Sequence, residues 1–68
     1  MNKNKLKGKL VECALSQEEA AEKMGISLSR FNAKLNGRRG AQFVLGEVRS
    51  LKEILDLTAE QVDQIFFS

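Results

Sequence analysis

An all-α fold of five short helices is what the sequence predicts, and three observations predict it. Two S/T-x-x-E/Q capping boxes, Ser16 with Glu19 and Thr58 with Gln61, each mark a helix start. Gly25 and Gly37 stand where helices must stop, and glycine takes the left-handed closing conformation without a Cβ penalty. Between these marks apolar residues recur at three- and four-residue intervals, and no proline interrupts them.

The first helix is expected from about Lys3 to Cys13, with Leu6, Leu10, Cys13 and Ala14 as its apolar stripe and Gly8 weakening it by about 1 kcal/mol. Cys13 is read as a buried helix residue, the usual place of a free thiol. The second helix starts near Gln17, turns Ala20, Ala21 and Met24 inward and ends at Gly25. Ser27 caps the third, whose buried side is Leu28, Phe31 and Leu35 and whose end is Gly37. So few residues separate Met24 from Ser27 that these two helices must cross steeply instead of folding back as a long hairpin.

Residues 38–44 carry no period, and the Arg38-Arg39-Gly40 cluster reads as a loop in which a short β-hairpin is allowed but not demanded. A fourth helix then runs from about Leu45 to Leu55 on Leu45, Val48, Leu51, Ile54 and Leu55. The fifth follows Thr58 with Val62, Ile65 and Phe66 on one side. Phe66 and Phe67 are adjacent, so they diverge by about 100° on a helix and cannot both fill one small core. One of them is expected to serve a dimer partner.

With 68 residues the chain is a single domain, 1–68, near the size at which a core alone is marginal. The apolar runs are too short for a membrane span or a signal peptide. One cysteine and no histidine leave no disulfide, no familiar zinc cluster and no set of groups for acid–base or metal catalysis. An enzyme is therefore the least expected class, and no cofactor or metal is expected. The net charge of +2 conceals a pattern: Lys3, Lys5, Lys7 and Lys9, then Arg30, Lys34, Arg38 and Arg39, form two basic blocks, with one acidic segment between them and another after the second. Such blocks can bracket a polyanion.

Gln17 opening a helix, Ala21 four residues on, Gly25 a further four on, Ile26-Ser27 and then Asn36-Gly37, preceded by Leu15-Ser16, resemble the helix-turn-helix of the lambdoid phage repressor and Cro family. The similarity covers nearly the whole chain. It implies a compact five-helix domain with the motif in helices two and three, a cytoplasmic protein associated with the nucleoid when bound, and a homodimer on double-stranded operator DNA. Many members pair an arginine in helix one with a glutamate in helix three, where this chain has Leu10 and Leu35. Joint loss of both charges is tolerable, whereas loss of one would leave a buried charge unpaired.

On helix three, the step of 100° per residue sends Ser29 and Ala33 opposite Phe31 and Leu35, with Arg30 and Asn32 on the flanks. Matching to the family puts Leu28, Ser29, Asn32 and Ala33 in the base-facing places. Arg30 can bond guanine with both arms and Asn32 can do the same for adenine. Leu28 is expected to be partly buried. Gln17, matched to a phosphate-contacting family position at a helix N-terminus, is expected on the DNA backbone, as are Ser27, Lys34, Asn36, Arg38 and Arg39. Phe66 and Phe67 are the expected dimer contact. The expected function is thus a Cro-like repressor, and the alternative is a protein-interaction module of the same fold, an antitoxin fragment or anti-repressor, without DNA binding.

Overall fold

In the computed structural model, which describes residues 1–67, α1 (Lys3–Glu12) begins where the Asn2 side chain accepts from the Lys5 backbone N–H at 3.1 Å. It buries Leu6 and Leu10. The helix stops one residue before the expected end, because Ala14 swings to φ 55° and the N–H groups of Ala14 and Leu15 return to the carbonyls of Val11 and Leu10. That pair of bonds is the Schellman closure. It removes Cys13 and Ala14 from the helical stripe, and both are exposed, contrary to the buried positions expected of them.

α2 (Gln17–Met24) starts with a complete capping box: the Ser16 hydroxyl accepts from Glu19 N–H and a Glu19 carboxylate oxygen accepts from Ser16 N–H, each at 3.0 Å. Gly25, at φ 75°, closes it: its N–H donates to the Glu22 carbonyl and Ile26 N–H donates to the Ala21 carbonyl. α3 (Leu28–Asn36) is capped by Ser27, which accepts from Arg30 N–H at 3.1 Å, and ends at left-handed Gly37. A single 3-10 turn over Arg38–Gly40 follows, with Arg39 at φ 54°, in place of an unstructured loop. No strand occurs among the described residues.

α4 (Leu45–Ile54) lacks a capping side chain at Val44, so Glu47 supplies half of the device by accepting from Val44 N–H at 2.9 Å. Leu45, expected on the buried stripe, is 64% exposed because it is the first residue of the helix and lies beyond the edge of the core. The helix closes through left-handed Asp56, whose N–H donates to the Glu53 carbonyl while Leu57 N–H donates to the Lys52 carbonyl, the pattern that Gly25 and Ile26 make after α2. α5 (Ala59–Phe66) opens on the Thr58 and Gln61 capping box.

Five α-helices among the described residues thus enclose one core of Leu6, Leu10, Ala20, Ala21, Phe31, Leu35, Leu51, Leu55, Leu57 and Ile65. α2 packs against both α3 and α4, where the two alanines permit close approach, and α5 covers α1 and α4. The Asn2 N–H donates to the Ile65 carbonyl at 2.6 Å, tying the start of α1 to the end of α5. Leu10 and Leu35 are both buried in this core, so the helix-one and helix-three positions meet the interior with hydrocarbon.

Candidate nucleic-acid interface

Phe31 and Leu35 anchor α3 to the core, and the helical step from them fixes what the outer face carries. Ser29 and Arg30 are exposed, while Asn32 and Ala33 are half-buried. Leu28, whose phase points to the core and which is expected to be partly buried, is 39% exposed. Its angular position is close to that of Leu35. It is the first residue of α3, however, and a helical Cα–Cβ bond leans toward the N-terminus, which carries this side chain past the end of the core.

The residues expected on phosphates fall into three groups. Arg38 and Arg39 are exposed on the 3-10 turn and form no ion pair among the described residues. Gln17 is the first residue of α2 and half-buried, Ser27 already spends its hydroxyl on Arg30 N–H, and Asn36 folds back to donate to the Asn32 carbonyl at 2.9 Å. Lys34 stands apart. Its Nζ lies 2.6 and 2.8 Å from the two carboxylate oxygens of Glu47, with both side chains largely covered.

Glu47 was not among the residues singled out from the sequence. Burial by itself would raise its carboxyl, but hydrogen bonds from Lys34 Nζ and Val44 N–H and the charges of Lys34 and Arg30 hold it below the usual carboxylate value. The only signal available was a glutamate three residues after the position that opens α4, and Val44 is not a residue that advertises a cap. Phe43 was missed for a related reason. It lies in the aperiodic segment, yet its ring meets Phe31 and Phe66 edge-on at centroid distances of 5.5 and 6.3 Å.

The N-terminal basic block is divided by the fold. Lys3 reaches an open groove of about 620 Å³ beside Asn36 and Gly37, whereas Lys5 and Lys9 border α5 near Gln61 and Gln64, and Lys9 pairs with Glu12 at 3.6 Å. The same groove is lined by Phe43, Phe66 and Phe67. Phe66 is packed against the core, and Phe67 is 64% exposed. The two rings do part company at the end of α5.

Comparison with known proteins finds no matching family model, no matching curated protein and no matching solved structure.

Proposed function

We propose that the chain is a sequence-specific regulator of transcription that lays α3 in the major groove of double-stranded DNA and binds as a homodimer. The observation that carries this reading is the outer face of α3. Ser29 and Arg30 stand free of the core on a short helix held from beneath by Phe31 and Leu35, and exposed Arg38 and Arg39 follow it directly. A helix of this kind fits the groove, an arginine fork suits guanine and a half-covered asparagine at Asn32 suits adenine. Arg38 and Arg39 neutralise phosphates on leaving the groove, and Gln17 with the α2 N-terminus supports the backbone on the other side.

Leu28, partly accessible at the helix start, and Ala33 contribute methyl contacts to thymine, so shape adds to the direct reading. Lys34 is left out of the phosphate set because Glu47 holds it. Phe67 supplies the apolar contact between protomers, and two linked readers gain affinity that one lacks. The repressor-type role, with cytoplasmic residence, belongs to this reading.

Selection of bound sequences from a randomised duplex pool tests it. The expected product is a two-fold symmetric site. A pool that returns unenriched would replace this reading with the protein-interaction module, for which the groove beside Phe67 would be the contact.

A further inference from the structure

We infer that Glu47 holds Lys34 off the DNA backbone and so limits sequence-independent binding, an inference that rests on the DNA-binding reading above. Arg30 and Lys34 are four residues apart and share one flank of α3, the flank that faces the start of α4. A phosphate strand running beside the reading helix would pass along that flank. Lys34 is the cation best placed to meet it, and Glu47 has taken that cation through both carboxylate oxygens.

Two features keep the lysine where it is. The side chains of Lys34 and Glu47 are only 13% and 16% exposed, so salt screens the pair weakly, and drawing Lys34 out would strand a covered carboxylate. Glu47 in turn cannot follow the lysine, because it is fixed by Val44 N–H in the first turn of α4, where the helix dipole also favours an anion. The pair carries no net charge, so this flank of α3 offers phosphate no cation besides Arg30 on any sequence. Base contacts are left with a larger share of the binding free energy. Glu47 is in this sense a specificity-setting residue that never touches a base.

The test is a salt titration of binding to the selected site and to a random-sequence duplex, using the parent chain, Glu47→Gln and the double variant Lys34→Met with Glu47→Gln. Glutamine can still accept from Val44 N–H, and the double variant leaves no unpaired charge. Glu47→Gln should steepen the dependence of log K on log salt by about 0.9, the increment of one new phosphate contact. It should tighten random-duplex binding more than selected-site binding, lowering the ratio between them several-fold. The double variant should return to the parental slope. A folded Glu47→Gln chain with the parental slope overturns the inference. So does a double variant whose slope falls about 0.9 below the parent, since Lys34 would then already lie on a phosphate. A parent chain that binds neither duplex fails the DNA-binding reading itself, a result separable from both.

Discussion

Phe43 meets Phe31 edge-on, with ring centroids 5.5 Å apart and planes at 65°, and thereby fastens the segment after α3 to the helix it leaves. Phe31 is fully buried and Phe43 half-buried, so the pair links the core to the Arg38–Gly40 turn. Phe43→Ala should cost about 1–1.5 kcal/mol, roughly half the value of fully burying one large apolar side chain, and urea unfolding would measure it. An unchanged midpoint would mean that the ring contributes no packing.

The left-handed residues that close α1, α2 and α4 are Ala14, Gly25 and Asp56, and only one of them is glycine. Ala14→Gly should raise stability by about 0.5–1 kcal/mol, because relief of the left-handed strain exceeds the entropy that glycine adds to the unfolded chain. Asp56→Gly should gain less, since aspartate tolerates this conformation better. Gly25→Ala should lose about 1–2 kcal/mol although no atom lies within 4 Å of the added Cβ, so the loss is conformational and not a clash. Thermal unfolding of the three variants would show the opposite signs.

Acid should weaken the fold through Glu19 and Glu47. The Glu19 carboxyl is lowered first by the Ser16 N–H bond, then by the Ser16 hydroxyl and Lys23, while Glu47 is lowered against its burial by Lys34, Val44 N–H and Arg30. A folded value below the unfolded one means that both contributions are complete above the ordinary value of 4.5 and are lost as pH falls through the lower folded value. Urea midpoints should therefore decline on acidification below about pH 4.5, and less so in Glu19→Gln and Glu47→Gln. Equal acid slopes in parent and variants would contradict the assignment.

Phe67→Ser should leave folding nearly unchanged and weaken the proposed self-association, because the ring is 64% exposed. Phe66→Ser should destabilise the monomer, since Phe66 packs on the core and meets Phe43. Sedimentation combined with circular dichroism separates the two. A Phe67→Ser chain that associates as the parent does would place the protomer contact elsewhere.

Most of the fold was legible because its starts are written in side chains. Ser16, Ser27 and Thr58 all cap where their spacing said they would, and Gly25 and Gly37 both stop their helices. What escaped was written in backbone. Ala14 and Asp56 are left-handed, and the leucines that follow them, Leu15 and Leu57, pack on the core, which no local pattern announces. Leu45 misled because a period places a residue around a helix but not along it, and it is the first residue of its helix, as the partly covered Leu28 is of α3. On the candidate interface, helical phase sent Ser29 and Ala33 outward with Arg30 and Asn32 on the flanks, and of these Ser29 and Arg30 are exposed while Asn32 and Ala33 are half-buried. The Lys34 and Glu47 pair spans 13 residues and two helices, and such a pairing is set only by packing.

The claim that α3 reads base edges in the major groove is tested most directly by placing 7-deazapurines one at a time in the selected site. This change deletes the N7 acceptor of the major groove and leaves the minor groove intact. One or two positions per half-site should weaken binding by about 1–3 kcal/mol, and Arg30→Ala or Asn32→Ala should abolish the sensitivity at its own position. Equal affinity at every substituted purine, in parent and variants alike, would contradict that claim.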